Sequence, residues 1–108
     1  MNLATETFGN VIVVHTPEDF SAEQSEDLLD FLVTLPHRKL VLDIDFTEAL
    51  DSAGLTALLD SQESLRELGG DVKIATRGAV NRKILEITRL DRQLEVFESV
   101  IDAVKSFR

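Results

Sequence analysis

The sequence has 108 residues, which is enough for one domain and too short for two ordinary ones. It contains no cysteine, which excludes a disulfide framework, a thiolate metal site and a cysteine nucleophile. Its 20 acidic and 11 basic residues give a formal charge of −9, which argues against nucleic-acid binding through phosphate contacts. The sequence shows neither a membrane-spanning run nor a signal peptide. We therefore expect one domain over residues 1–108, in the cytoplasm and without membrane insertion.

The spacing of apolar residues predicts strands and helices in turn along the chain. The predicted elements are, in chain order, strands at 2–8 and 11–14, a helix at 22–35, a strand at 39–46, a helix at 52–68, a strand at 71–77, a helix at 80–87, a strand at 94–97 and a helix at 100–107.

Glycines and prolines mark several predicted ends. Gly9-Asn10 suits the tight turn of a hairpin between the first two strands. Pro36 ends the first helix, for which Ser21 is the candidate N-cap. Gly69-Gly70 ends the second helix, because glycine readily adopts the left-handed conformation found at helix C termini.

The strand at 39–46 constrains the predicted architecture. Asp43 and Asp45 share one face of this strand with Val41, so we expect it not to be buried on both sides, unlike the central strands of a doubly wound sheet. The predicted fold class is therefore α/β, with a mixed, mostly parallel sheet of four to five strands and about four helices mainly on one face.

The strand-to-helix junction at residues 46–55 is the most informative segment, because sites in open α/β sheets form where strands end and helices begin. Asp51 is suited to cap the second helix, which places the Ser52 hydroxyl in the first turn, within reach of solvent. Gly54 is unusual there, because glycine costs a helix about 1 kcal/mol relative to alanine. Its bare backbone either admits a partner or a phosphate, or makes room for a neighbouring strand, and both alternatives stay open.

A phosphoryl group on Ser52 would add about −1.5 to −2 charges beside unpaired N–H groups at the positive end of a helix. The fold should tolerate this group, whereas a partner docked on Ser52 would meet its charge and bulk. We therefore expect such a modification to act on association and hardly on folding. Asp51 repels the added charge somewhat, but it is also placed to orient the hydroxyl or accept its proton during phosphorylation by a kinase.

The signature of STAS domains, in particular of bacterial anti-sigma-factor antagonists, resembles the segment Asp51-Ser52-Ala53-Gly54-Leu55. The resemblance extends through Glu67-Leu68-Gly69-Gly70 and the following strand. It also includes Ile84-Leu85-Glu86-Ile87-Thr88, which is similar to the third helix of the family. It covers residues 38–108 well and the first 37 more loosely.

The resemblance implies a partner switch in which this chain is not an enzyme. An anti-sigma-factor serine kinase, a histidine-kinase-like ATPase, would bind the five signature residues and phosphorylate Ser52. Phosphorylation would release the kinase to its sigma factor, and a metal-dependent serine phosphatase would reset the switch. Glu18 and Asp19 stand where the family commonly carries a Gly-Glu-Leu-Asp-like stretch that meets the kinase. Arg89 stands where family members often have glycine.

Two alternative functions stay open. The same domain type also implies a non-phosphorylated accessory subunit of a lipid-transport ATPase or of another signalling complex. A receiver-like module would instead accept phosphate on an aspartate, since Asp43, Asp45 and Asp51 lie at or near one strand end. Such a module needs a Mg²⁺-binding acidic cluster, for which Glu18-Asp19 is a candidate, and a lysine beyond a later strand. Here that strand is followed by Thr76-Arg77-Gly78.

The remaining polar residues predict no cofactor, metal site or catalytic residue. His15 and His37 have no third ligand at a useful spacing, so we expect ordinary surface or strand-end histidines. The acidic residues between positions 18 and 30 form either a solvated helix face or a docking surface for a basic partner.

Overall fold

The computed structural model describes residues 3–18, 22–48 and 50–107. Strands and helices lie within a few residues of their predicted bounds, and the candidate cap Ser21 falls outside the described residues. The elements are β1 (Thr5–Phe8), β2 (Val11–His15), α1 (Ala22–Val33), β3 (Lys39–Asp43), α2 (Ser52–Glu67), β4 (Asp71–Ala75), α3 (Ala79–Ile87), a 3-10 turn (Leu90–Arg92), β5 (Val96–Phe97) and α4 (Val100–Lys105).

The five strands form one sheet in the order β1-β2-β3-β4-β5. β1 is antiparallel to β2, and the other neighbouring pairs are parallel, which confirms the predicted mixed, mostly parallel sheet. Because β2 to β5 run in one direction, their C-terminal ends meet at one edge, which we call the carboxyl edge. The register aligns His15, Asp43 and Ala75 in a row along this edge.

The sheet is covered on both faces. Three helices, α1 to α3, pack on one face against a large apolar cluster, and α4 packs on the other face against a smaller one. The large cluster includes Ile12, Val14, Leu28, Leu32, Leu40, Leu42, Leu58, Leu65, Val72, Ile74 and Leu85. The smaller cluster includes Val11, Val13, Val41, Ala75 and Ala103. The predicted placement of the helices mainly on one face is confirmed.

The structure corrects two expectations about β3. Val41 is fully buried and Asp43 is only 6% exposed, so the prediction that this strand is open on one side is wrong, because α4 covers that side through Ala103. The strand also ends at Asp43, so Asp45 lies beyond it. Phe46, within the predicted strand at 39–46, also lies beyond the observed strand end and is 65% exposed.

Left-handed backbone occurs at three described positions. Gly9 in the β1–β2 turn has a φ of 63°, and Gly69 after α2 has a φ of 84°, as the glycine signals predict. Arg89, between α3 and the 3-10 turn, has a φ of 61° and is the one such residue with a side chain among the described residues. None of the described helices is long and apolar enough to cross a bilayer.

Candidate functional site

Ser52 is the first residue of α2, at the carboxyl edge of the sheet. Asp51 has an extended backbone, and its Oδ1 accepts a hydrogen bond from the Gly54 N–H at 2.9 Å, which confirms the predicted N-cap. The side chains of Asp51 and Ser52 are exposed. Ser52 is therefore accessible to a partner, and it lies at the helix end where the dipole favours negative charge.

The other three signature residues are less accessible. Ala53 is partly exposed, Gly54 is buried, and Leu55 packs against the large core cluster. Because a partner does not reach a buried residue, the burial of Gly54 disfavours the alternative in which its backbone admits a partner or a phosphate. The exposed part of the signature is thus reduced to Asp51, Ser52 and the edge of Ala53.

A groove of about 360 Å³ between α1 and α2 begins at Ser52, and we call it the Ser52 groove. Its lining residues are Ser25, Glu26, Leu29, Ser52, Ala53, Thr56, Ala57 and Asp60. The Ser25 hydroxyl donates to the Ala53 carbonyl at 3.3 Å and so joins the two helices at this groove. Glu26 and Asp60 are exposed, which gives the groove acidic side chains beside an apolar floor.

Thr47 lies at the centre of the segment before Ser52, residues 44–51, which we call the Ser52 loop. Its hydroxyl is buried and donates to the Pro17 carbonyl at 2.6 Å. The Thr16 hydroxyl lies 2.9 Å from the Thr47 hydroxyl and 3.3 Å from the Asp43 carbonyl oxygen. These bonds join the Ser52 loop to the loop after β2, which carries Glu18. Glu18 is exposed, and Asp19 falls outside the described residues.

Two further side chains hold the Ser52 loop. Asn81 of α3 is 3% exposed, and its amide bonds the Thr47 carbonyl and the Leu50 N–H. Asp45 accepts hydrogen bonds from the Arg77 N–H at 2.7 Å and from the Thr76 hydroxyl at 3.1 Å. The Ser52 loop is thus tied to the loops after β2 and β4 and to α3. The sequence did not predict these ties, because each joins residues about thirty positions apart.

His15 bridges two carboxylates at the carboxyl edge. Its Nδ1 lies 2.7 Å from Asp43 Oδ2, and its Nε2 lies 2.7 Å from Glu6 Oε1. Partial burial lowers the pKa of His15, but the hydrogen bonds to Glu6 and Asp43 and their negative charges outweigh it, so the pKa lies above its ordinary value. His15 is a strand-end residue as expected, but its two partners were not predicted.

The aspartates of the receiver-like alternative are engaged in structural contacts. Asp43 accepts from His15 and from the Asp45 N–H, and Asp45 accepts from Thr76 and Arg77. Asp51 caps α2. Among the described residues, no group of three or more histidines and acids is arranged to hold a metal ion. These contacts disfavour phosphate transfer to an aspartate.

A family model for the STAS domain matches residues 2–103. The chain belongs to the STAS domain family. Its fold of a five-stranded mixed sheet with four helices is that of solved STAS structures.

Three solved structures illustrate the similarity. An anti-sigma factor antagonist from Mycobacterium paratuberculosis is 25% identical, with a TM-score of 0.82, over 97% of this chain and 92% of that one. The phosphorylated form of the Bacillus cell fate determinant SpoIIAA is 13% identical, with a TM-score of 0.70, over 99% and 100%. A sulfate transporter family protein from Wolinella succinogenes is 17% identical, with a TM-score of 0.79, over 94% and 87%. The last two show the fold alone.

Proposed function

We propose that this STAS domain is an anti-sigma-factor antagonist that binds an anti-sigma serine kinase and is regulated by phosphorylation of Ser52. The observation that carries the proposal is the exposed Ser52 at the start of α2, capped by Asp51 and placed at one end of the Ser52 groove. The similarity to an antagonist from Mycobacterium paratuberculosis supports the same class of function.

Kinase binding is expected at the carboxyl edge, on the exposed residues Asp51 and Ser52 and in the adjoining groove. Glu18, on the loop that Thr47 ties to the Ser52 loop, extends this surface, and Asp19 follows it in sequence. Gly54 and Leu55 support this surface from inside and do not contact the kinase.

Phosphorylation would act by charge. A phosphate on Ser52 would stand beside Asp51 and at the end of a groove that already carries Glu26 and Asp60. The N-terminal end of α2 offsets part of this repulsion for the folded chain, but a docked partner would meet a group of about −1.5 to −2 charges. The phosphorylated form would therefore release its kinase, and a metal-dependent serine phosphatase would restore binding.

The test is phosphorylation by the purified cognate kinase with ATP, followed by peptide mass spectrometry. We expect one phosphoryl group on Ser52 and none in Ser52→Ala. Thr56→Ala is the matched control, because Thr56 also carries a hydroxyl in the Ser52 groove, one turn along α2. Phosphate at another residue, or unchanged phosphorylation of Ser52→Ala, contradicts the proposal. Co-purification with a membrane transport complex, without modification of Ser52, would support the accessory-subunit alternative.

A further inference from the structure

Phe46 projects from the Ser52 loop into solvent. Its side chain is 65% exposed, the largest exposure of any phenylalanine that the structure describes. Isolated exposed aliphatic residues are common on protein surfaces, but large aromatic residues are enriched in interfaces.

The ring of Phe46 is carried by a fixed segment of backbone. The preceding residue, Asp45, is bonded to the loop after β4, and the following residue, Thr47, is bonded to Pro17 and Asn81. The ring also meets the His15 imidazole edge to face, with centroids 6.2 Å apart and an interplanar angle of 79°. A partner that binds this ring therefore loses little conformational entropy of the loop on association.

The Ser52 loop that carries Phe46 is acidic, and the bases beside it are His15, which meets the ring, and Arg77, whose N–H bonds Asp45. Three exposed carboxylates, Asp45, Glu48 and Asp51, belong to the Ser52 loop itself, and a fourth, Glu18, lies on the loop bonded to it. The same loop contains no basic residue. An aromatic ring among carboxylates complements a protein surface with an apolar socket bordered by lysine or arginine. Anionic lipid is disfavoured as the occupant, because the carboxylates would be repelled by its negative surface.

We propose that Phe46 is the principal anchor for the kinase that acts on Ser52, and that it inserts into an apolar socket bordered by basic side chains. This inference rests on the proposed function and adds the residue that carries the binding energy. It also separates two roles: Phe46 in the Ser52 loop provides affinity, and Ser52, six residues later at the start of α2, provides the switch.

The test measures the affinity of the unphosphorylated domain for the purified kinase by calorimetry. Phe46→Ala is expected to weaken binding by about 30-fold or more, as a central aromatic anchor does. Its melting temperature should stay close to that of the wild type, because the ring is mostly exposed. Leu68→Ala is the matched control, since Leu68 is 48% exposed but lies just beyond the other end of the 16-residue helix α2. It should bind as the wild type does.

A second variant tests the charge of the surface. Glu48→Gln should slow association and reduce its dependence on salt, with little change in the dissociation rate. Wild-type affinity of Phe46→Ala, with Ser52 still phosphorylated, overturns this inference and leaves the proposed function intact. Equal losses in Phe46→Ala and Leu68→Ala also overturn it. If the wild type itself neither binds the kinase nor is phosphorylated, the proposed function fails, and the inference fails with it.

Discussion

The side-chain amide of Asn81 lies 2.7 Å from the carbonyl oxygen of Thr47, and it closes a two-bond clamp on the Ser52 loop. Asn81 Nδ2 donates to Thr47, while Asn81 Oδ1 accepts from the Leu50 N–H at 3.0 Å. A carbonyl only accepts and an N–H only donates, so a single orientation of the amide satisfies both. A buried side chain of α3 thereby holds Thr47 and Leu50, which precede Ser52 in the chain.

Replacement of Asn81 by alanine should destabilise the fold. Both main-chain groups would lose their partner in a buried position, and we expect the free energy of unfolding to fall by about 2 to 3 kcal/mol. Urea unfolding followed by circular dichroism measures this change. Lys83→Ala, on an exposed position of the same helix, should change the free energy by less than about 0.5 kcal/mol. A loss in Asn81→Ala no larger than in this control would show that the clamp contributes little.

Replacement of Arg89 by glycine should stabilise the fold. Arg89 has a φ of 61°, a conformation that costs residues with a side chain about 1 to 2 kcal/mol. Glycine removes this strain but loses more backbone entropy on folding, so we expect a net gain of about 0.5 to 1 kcal/mol in the free energy of unfolding. Arg92→Gly, three residues later at a position without positive φ, should lower stability instead. A loss of stability in Arg89→Gly would show that its side chain makes a compensating contact.

The pKa of His15 makes stability depend on pH. The pKa is raised in the folded state above the ordinary value of 6.5, so the folded state binds the proton more tightly than the unfolded state. The resulting stabilisation is fully present below pH 6.5 and is lost as the pH rises through the folded-state pKa. A neutral imidazole carries one N–H and cannot donate to both Glu6 and Asp43.

NMR titration of the imidazole signals, together with urea unfolding across this pH range, tests the prediction. Glu6→Gln should lower the pKa of His15 and reduce the loss of stability above pH 6.5, because it removes one of the two negative partners. A His15 pKa at or below 6.5 in the wild type would contradict the prediction.

Local signals in the sequence were sufficient for much of the fold. Turns and caps depend on residues only a few positions apart. The sequence therefore predicted the turn at Gly9, the end of α2 at Gly69 and the cap at Asp51. The same locality explains why Ser52 could be placed at an exposed helix start. The alternation of strands and helices along the chain predicted the mostly parallel sheet.

Long-range packing explains what the sequence did not predict. Helix α4 has six residues, too short a pattern to show which face of the sheet it covers. Its apolar side chains pack on β2 to β4, and Lys73 of β4 holds the residues just after the helix: Nζ donates to the carbonyl and hydroxyl of Ser106 and lies 4.4 Å from the ring centroid of Phe107. Lys73 is only 8% exposed, and it lies on the same sheet face as Val41, which the sequence analysis expected to be open to solvent. The bridge from His15 to Asp43 likewise joins residues 28 positions apart.

Replacement of Ser52 by aspartate should separate binding from folding. Ser52 is exposed at the positive end of α2, so a carboxylate there is tolerated and the free energy of unfolding should change by less than about 0.5 kcal/mol. Kinase affinity should fall, because a kinase surface that docks on the neutral Ser52 hydroxyl would have to exclude water from a carboxylate at the same contact. Ser52→Asn is the matched control, since it has nearly the same size as aspartate but no charge, and it should retain more of the affinity. Equal losses in the two variants would show that bulk rather than charge controls binding, and a large loss of stability in Ser52→Asp would assign Ser52 a structural role.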